Sequence, residues 1–476
     1  MDTTELCFMP ATELSRLIHA KQLSPVELTE AVLDRIDKIN PKINAFITIT
    51  ADLARKGAKE AEARALRGEL ISPVDGIPLS IKDVTPTAGI RTTMGSKFME
   101  NNVPTEDNLV AKRMRGAGMV VLGKTNTPAY GHKDMADNLL GPPTRNPWKL
   151  DRTTGGSSGG AAGAVAAGLG PLAEGSDGAG SIRIPASLSG IVGFKASYGR
   201  VPNSRPISNY WAAISHSGPI ARTVRDAAML LQVMAGPDPI DPLSIDAQPE
   251  DYVTACDGDV KGLKVVWSGD LGYAAVDPEV REIAHRAALR FNDLGCILEE
   301  RDPRWDDPYQ WANDSWSINQ AAREYERGQL HPDWLDPTLT IQILQALRFT
   351  AIDFQKMLQA RSTFYDQARA FFETCDLLLT PTMPIGAWSA EPGLKQGPSE
   401  IGGRKIGHGL FDRVPFTFPH NQTGYPAITL PAGFTAEGLP VGLQIVGRWH
   451  QDSTVLKAAA NFEAIQPWAE KRPNLD

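Results

Sequence analysis

The chain has 476 residues, of which 42% are hydrophobic and 22% charged, as is typical of a globular protein. The formal net charge is −8 and no basic stripe is present, which excludes nucleic acid and anionic membranes as expected partners. We find neither a signal peptide nor a membrane-spanning apolar run, and therefore expect a cytoplasmic protein. The four cysteines are scattered without a CxxC pair, which predicts buried free thiols.

The first 70 residues are predicted to form a helical scaffold. Ser24 and Glu27 match a capping box, with Pro25 at the first helical position. Apolar residues then recur at helical spacing until Asn40-Pro41, where we expect the helix to end. A second, charged helix is predicted over residues 49–67.

Beyond residue 74, short apolar runs alternate with helical stretches and with loops rich in glycine and proline. The predicted strands are 77–81, 119–122, 191–194, 263–267, 377–379 and 443–446, and the main helical stretches are 108–116, 222–235 and 278–294. This alternation predicts an α/β fold, a single large domain with a central mixed, twisted β-sheet covered by helices on both faces. The sequence leaves open whether the region around 250–370 is an inserted subdomain or adds helices to the same sheet.

Two short motifs match known patterns in an unsuitable context. Residues 118–125 fit the phosphate-binding pattern G-x-x-x-x-G-K-[ST], but their centre is an apolar β-type run, so we expect Lys124 on a strand. Residues 155–159 fit the G-x-S-x-G nucleophile elbow, but residues 146–154 before them are polar and interrupted by proline, where an elbow needs a strand. A Ser-His-Asp mechanism using His408, His420 or His450 stays as an alternative.

A glycine-rich segment carries the most informative pattern. Ten of the 43 glycines fall in residues 155–180. The Ala/Gly stretch 159–169 is predicted to be a helix without side-chain bulk, able to lie close to neighbouring backbone. Residues 177–181 form a second tight turn, in which successive amides can converge as an oxyanion hole requires. Ser157 and Ser181 therefore each lie in a backbone-rich loop, a pattern shared by ordinary solvated turns.

Lys82, which directly follows the predicted strand 77–81, is the candidate base for either serine. A lysine at a strand end is usually a surface charge. Only burial would lower its pKa enough for the neutral amine to accept a proton.

These residues together resemble the amidase signature family. The defining motif is matched by residues 155–185, and the similarity extends to 76–83, 123–126, 146–148, 218–222, 423–428 and 438–447. It is weakest over about 240–370. On this basis the chain divides into an N-terminal helical scaffold (1–70), the signature core (71–240), a variable, mainly helical region covering the substrate side (241–370) and the C-terminal part of the same sheet (371–476).

The resemblance implies hydrolysis of an amide through an acyl-enzyme, without metal or cofactor. It assigns Ser181 as the nucleophile, Ser157 as a bridging serine after a cis peptide, and Lys82 as the base. The implied oxyanion hole consists of the backbone amides of Gly178, Ala179, Gly180 and Ser181. Ser158 and Arg183 match positions that support the loop.

Two positions depart from the usual family pattern. Ala179 stands where many relatives have glycine, as in the branch that cleaves nylon-type oligoamides, and Ala196-Ser197 replaces Pro-Thr. The family's pocket segments correspond to residues 127–137, 205–217, the middle region and 388–421. Their aromatic residues are Tyr130, Tyr210, Trp211, Trp388, Phe411 and Phe416, either pocket or ordinary core. Of these, Tyr130, Tyr210, Trp211 and Phe416 are predicted to contact substrate.

The sequence thus predicts a stand-alone hydrolase of a small amide, anilide, oligoamide or carbamate. One alternative is the A-type subunit of an aminoacyl-tRNA amidotransferase, which shares the motif but works with partner proteins. The other is a Ser-His-Asp esterase of the α/β-hydrolase type. The expected partner is a small-molecule substrate, with no nucleic acid and no membrane, and a homodimer is left open.

Overall fold

The computed structural model describes residues 2–204, 212–393, 397–407 and 409–475. The strands are β1 (Phe46–Ile49), β2 (Pro78–Lys82), β3 (Val120–Thr125), β4 (Arg145–Asn146), β5 (Lys149–Thr153), β6 (Leu172–Asp177), β7 (Val192–Lys195), β8 (His216–Ala221), β9 (Lys264–Trp267), β10 (Ile297–Glu300), β11 (Leu377–Pro381), β12 (Glu400–Ile401), β13 (Arg404–Lys405), β14 (Ala427–Phe434) and β15 (Pro440–Gly447). The helices are α1 (Thr3–Phe8), α2 (Ala11–His19), α3 (Pro25–Ile43), α4 (Ala51–Arg67), α5 (Leu109–Gly116), α6 (Gly159–Ala166), α7 (Arg183–Ser189), α8 (Val224–Met234), α9 (Tyr252–Ala255), α10 (Pro278–Leu289), α11 (Tyr309–Leu330), α12 (Pro337–Ala346), α13 (Ala351–Phe372), α14 (Pro419–Thr423) and α15 (Asp452–Ile465).

An 11-stranded sheet organises the described part of the chain, in the order β1-β3-β2-β6-β8-β7-β14-β15-β11-β9-β10. Strands β3, β2 and β6 run parallel, as do β11, β9 and β10, whereas the neighbours between β6 and β11 are antiparallel. Helices flank this sheet. The predicted α/β fold with one large mixed sheet is confirmed.

The predicted strands all lie in this sheet, and β1, β6, β8, β10 and β14 join them. Strand β1 brings the N-terminal segment to one edge of the sheet. Strands β9 and β10 bring the middle region to the other edge, next to β11. The middle region therefore adds strands as well as helices to the same sheet.

Helix α3 begins as the sequence predicts but ends later. The Ser24 hydroxyl accepts the amides of Val26 and Glu27 at 3.0 and 3.3 Å. The expected stop at Asn40-Pro41 is wrong, because Pro41 lies inside the helix, which continues to Ile43. A proline this close to the end removes one backbone donor, and the fully buried Ile43 anchors the last turn.

The structure shows the local conformation of the two short motifs, residues 118–125 and 155–159. Residues 120–125 form strand β3, so Lys124 lies on a strand as predicted; it is buried, and its Nζ donates to the Thr85 carbonyl and, at 2.9 Å, to Thr87 Oγ1. The expectation of no strand before residues 155–159 is wrong, since β5 precedes them. Strand β5 pairs with β4 in a separate two-stranded sheet, however. All four cysteines are buried and free.

Candidate active site

Helix α6 approaches its neighbours at backbone distance. A Cβ on Gly160 would lie 2.4 Å from both the carbonyl oxygen of Ala45 and the amide nitrogen of Asn126. All eight residues of the helix are buried. The glycine-rich sequence is therefore required by packing, and it places the loop before α6 deep inside the molecule.

Lys82, the last residue of β2, has no solvent exposure. Its Nζ donates to Ser157 Oγ at 2.6 Å and to Ser176 Oγ at 3.0 Å. Burial lowers the pKa of Lys82 to about 7, although the charges of Glu174 and Asp177 partly oppose the shift. This lysine is buried, as a base requires, and does not lie at the surface.

Ser157 lies in the loop between β5 and α6. The peptide bond between Gly156 and Ser157 is cis, as the resemblance implied. The loop packs tightly, because a Cβ on Gly156 would lie 2.6 Å from the backbone nitrogen of Met135. Ser157 is 1% exposed, so its hydroxyl faces the interior and the lysine amine.

Ser181 lies in the turn between β6 and α7, directly beside the Ser157 loop. The amide of Ser158 donates to the carbonyl of Ser181 at 3.1 Å, and the Ser158 hydroxyl donates to the carbonyl of Ser176 at 3.2 Å. Ser181 is 6% exposed, and its Oγ makes no hydrogen bond to another described residue. The structure thus shows the contact from Lys82 to Ser157, and brings the Ser181 loop beside it without a direct Ser157–Ser181 hydrogen bond.

A buried ion pair organises the turn that holds Ser181. The Asp177 carboxylate accepts Nε and Nη2 of Arg183 at 2.9 and 3.0 Å, and both side chains are fully buried. Burial alone would raise the pKa of Asp177, but the Arg183 guanidinium brings it well below its usual range, so the carboxylate is charged. Arg183 therefore supports the loop through Asp177.

One of the predicted oxyanion amides is already engaged. The amide of Gly180 donates to Asp177 Oδ1 at 2.7 Å, and the amide of Ile182 donates to Oδ2 at 3.2 Å. The amides of Gly178, Ala179 and Ser181 donate to none of the described residues. The set of amides open to a ligand therefore excludes Gly180.

Several polar residues around the site were missed by the sequence analysis. Glu174 of β6 is fully buried and accepts the backbone amide of Lys82 at 3.1 Å and the Thr85 hydroxyl at 3.0 Å. Burial raises the pKa of Glu174. Thr417 and Asn421, far along the chain, donate to the backbone of the Ser181 turn. Periodicity gives no signal for polar residues whose partners are this distant in sequence.

A cavity of about 310 Å³ reaches a hydrogen-bond partner of Lys82, although Lys82, Ser157 and Ser181 are not among its lining residues. Ser176, a hydrogen-bond partner of Lys82, lines this cavity together with Tyr130 and Arg323. The guanidinium of Arg323 lies 4.4 Å from the centre of the Tyr130 ring, and Arg327 donates to the phenol oxygen at 3.2 Å. Tyr130 is thus held rigidly at the cavity wall.

Of the other three residues predicted to contact substrate, only Phe416 belongs to the described part of the chain. Tyr210 and Trp211 lie outside the described residues. Phe416 is fully buried in a hydrophobic cluster with Phe364 and Tyr425, and its contact with substrate stays a prediction. Trp388 and Phe411 are likewise buried in a hydrophobic cluster, although Trp388 also lines a second cavity.

Of the candidate histidines, His420 and His450 belong to the described residues, and neither forms a hydrogen bond to Ser157 or Ser181. His420 is fully buried, its pKa lies well below the usual value because of that burial, and its Nε2 has no hydrogen-bond partner among the described residues. His450 stacks on Trp449, and His408 lies outside the described part of the chain.

Among the described residues, no group of three or more His, Cys, Asp or Glu side chains is arranged to hold a metal ion. Nor does any described helix combine the length and apolarity needed to cross a bilayer.

Comparison with known proteins identifies the family of the chain. The model of the amidase family matches residues 27–456. An acylamidase from Rhodococcus erythropolis is 43% identical over 99% of this chain and 98% of its own length. The A-type subunit of the glutamyl-tRNA(Gln) amidotransferase from Moorella thermoacetica is 36% identical over 99% of both chains.

A solved structure gives the same fold. The crystal structure of a bacterial aryl acylamidase of the amidase signature family superposes with a TM-score of 0.91, at 32% identity and with 97% of each chain covered. The chain belongs to the amidase family, and it is an enzyme that hydrolyses amide C–N bonds.

Proposed function

We propose that Ser181 is the nucleophile of a serine-dependent amidase, with Ser157 as proton bridge and Lys82 as base. The observation that carries this proposal is the 2.6 Å contact between Lys82 Nζ and Ser157 Oγ at a site where burial lowers the pKa of the lysine to about 7. A lysine with that pKa is neutral in a large fraction of molecules near neutral pH, so it can accept a proton.

The proposed reaction proceeds in two halves. Neutral Lys82 takes the Ser157 proton while Ser157 takes that of Ser181, whose Oγ attacks the substrate carbonyl. The protons return along the same path to the leaving nitrogen as the C–N bond breaks, which releases the amine and leaves an acyl ester on Ser181. Water, deprotonated by the same relay, then attacks the acyl carbon, and the relay returns the proton to Ser181 Oγ as the C–O bond breaks and the acid leaves. The amides of Gly178, Ala179 and Ser181 stabilise the negative carbonyl oxygen in both halves.

The proposed substrate is a small amide or anilide, with oligoamides and carbamates as further members of the class. The 310 Å³ cavity and the fixed Tyr130 ring suit a compact acyl or aryl group. The names of the similar proteins, acylamidase and aryl acylamidase, point to the same class. A panel of anilides, aliphatic amides, oligoamides and carbamates, compared by kcat/KM, ranks these substrates.

Single substitutions test the assigned roles on the best substrate of that panel. We expect Ser181→Ala, Ser157→Ala and Lys82→Ala each to lose kcat by at least about 10³-fold, since members of a catalytic unit fail together. The matched control is Ser187→Ala, at a buried serine of α7 whose hydroxyl has no hydrogen-bond partner among the described residues. Near-normal kcat in folded Lys82→Ala would contradict the role of the base.

The amidotransferase subunit is the second candidate, favoured by the 36% identity to the Moorella thermoacetica protein. The two functions differ in whether the chain needs other molecules for activity. A stand-alone amidase hydrolyses an anilide as a purified single chain, without ATP, tRNA or another protein. Hydrolysis that requires a second, different protein chain would instead support the amidotransferase. Sedimentation of the same sample decides whether the chain forms a homodimer.

A further inference from the structure

The turn that carries Ser181 is held from outside by a distant segment of the chain. Thr417 Oγ1 donates to the carbonyl of Ala179 at 2.7 Å, and Asn421 Nδ2 donates to the carbonyl of Asp177 at 2.8 Å. Thr417 precedes α14 and Asn421 lies within it, and both side chains are fully buried. Neither residue reaches Lys82 or Ser157 by a hydrogen bond among the described residues.

Holding these carbonyls determines where the amides point. In a planar trans peptide, the N–H of one residue points opposite to the carbonyl of the residue before it. Asn421 thus directs the Gly178 amide away from itself. The peptide between Ala179 and Gly180 is held at both ends, by Thr417 on the oxygen and by Asp177 Oδ1 on the nitrogen.

The peptide between Gly180 and Ser181 is held by the helix that follows it. The amide of Ile184 donates to the Gly180 carbonyl at 2.7 Å, which leaves the Ser181 amide pointing away from α7. The fit at Thr417 is close, because a Cβ on Gly180 would lie 2.3 Å from Thr417 Oγ1. The glycine at this position, with its φ of +120°, therefore lets the hydroxyl reach the turn.

Asn421 connects the turn to the buried ion pair. Its Nδ2 also lies 2.8 Å from Asp177 Oδ1, and its Oδ1 accepts Arg183 Nη2 at 2.7 Å. One amide side chain thus bridges the carboxylate, the guanidinium and the backbone of the turn. This bridging fixes the amide group in one orientation.

We propose that Thr417 and Asn421 are positioning residues for the amides that face the oxygen that becomes negative during the reaction. Asn421 orients the Gly178 amide directly, and Thr417 fixes the peptide between Ala179 and Gly180, which sets the path of the turn between the Gly178 and Ser181 amides. The proposal rests on the proposed function, since it concerns the oxyanion formed by attack of Ser181. The carbonyl oxygen of the bound substrate carries less charge than it does in the transition state. Amides that point in the wrong direction therefore weaken the binding of the transition state more than the binding of the substrate.

The test is a pair of substitutions at Thr417. Thr417→Val keeps the shape and removes the donor, and we expect kcat to fall about ten-fold or more while KM changes little. Affinity for an arylboronic acid, which forms a tetrahedral anionic adduct with serine, should fall by a similar factor. Thr417→Ser keeps the donor and should restore both quantities. If Thr417→Val does not fold, Thr417→Ala, which also lacks the hydroxyl, replaces it.

The control is Thr423→Val in the same short helix, where the hydroxyl donates only to Pro419, one turn earlier. We expect this variant to keep the wild-type kcat and boronate affinity. The proposal is overturned if Thr417→Val keeps both quantities, if Thr417→Ser fails to restore them, or if Thr423→Val loses as much. A failure of the proposed function is distinguishable, because there Ser181→Ala itself would retain activity.

Discussion

Lys82 behaves differently from a surface lysine because the fold removes water from its amine. Its Nζ contacts two serine hydroxyls, of Ser157 and Ser176, and its pKa falls to about 7 through burial. The charges of Glu174 and Asp177 act in the opposite direction, since each stabilises the protonated amine. The protonation state of this one residue is therefore set by a balance that substitutions can shift.

The pH dependence of kcat/KM tests this balance. Activity needs the neutral amine, so we expect kcat/KM to rise with pH and to reach half its plateau near pH 7. Glu174→Gln removes a negative charge that favours the protonated lysine. The pKa of Lys82 then falls further, and the acid limb of the profile moves to lower pH.

Asp83→Asn serves as the control for this shift. Asp83 is also buried, with its pKa raised by burial to about 6, but its charge is not among those that act on Lys82. The acid limb should keep its position in Asp83→Asn, even if the variant is less stable. An acid limb that stays in place or moves to higher pH in Glu174→Gln would contradict the proposed base.

At the scale of elements, helix α6 shows why the site is built from glycine and alanine. Its eight residues are all buried, and Gly160 contacts backbone on two sides. Gly163 of the same helix differs, since the nearest atoms to an added Cβ are the methyl groups of Thr154 and Thr144, at 3.3 and 3.4 Å. An added Cβ would thus meet backbone at Gly160, whereas at Gly163 it would meet two methyl groups that have to move by a few tenths of an ångström.

This asymmetry predicts different costs in stability for the same substitution at the two positions. Gly160→Ala forces backbone apart and should lower the free energy of unfolding by about 1–3 kcal/mol. Gly163→Ala must displace two methyl groups but gains helix propensity worth about 0.5–1 kcal/mol, so it should destabilise the protein less than Gly160→Ala. Urea unfolding of both variants measures the difference. Equal destabilisation by the two substitutions would argue against the close backbone approach.

The sequence predicted the elements whose residues follow a simple pattern. Strands β2 and β3 are apolar runs, and α3 and α4 have clear helical periodicity. Strand β6 was missed because its sequence, LAEGSD, buries Glu174 and Asp177, whose charges are accommodated by residues elsewhere in the chain. An isolated sequence window cannot show such partners.

The sequence likewise indicates the candidate site residues that lie in continuous motifs, but not those whose partners are distant in the chain. Lys82, Ser157 and Ser181 lie in motifs that are continuous in sequence, so the resemblance located them. Phe416 is harder to assign, because an aromatic residue in a pocket-forming segment can equally belong to the core, and this one packs in a hydrophobic cluster. Asn421 and Thr417 lie far along the chain from the turn they hold, at separations of 244 and 238 residues.

At the scale of the whole molecule, the mixed sheet brings distant segments of the chain to one place. Parallel pairing of β2 with β6 sets Lys82 beside the strand that leads into Ser181. The antiparallel pairing of β14 with β7 places the C-terminal segment next to the same core, where α14 reaches the Ser181 turn. The proposed relay thus depends on the complete sheet rather than on the glycine-rich segment alone.

The central claim is that this assembly makes Ser181 a nucleophile. Intact-mass analysis after treatment with a serine-reactive fluorophosphonate tests it most directly. We expect the wild-type chain to gain the mass of one adduct and Ser181→Ala to gain none, with the Ser187→Ala control labelled like the wild type. Labelling that persists in folded Ser181→Ala, or a wild-type chain that remains unlabelled while it hydrolyses an anilide, would contradict the account.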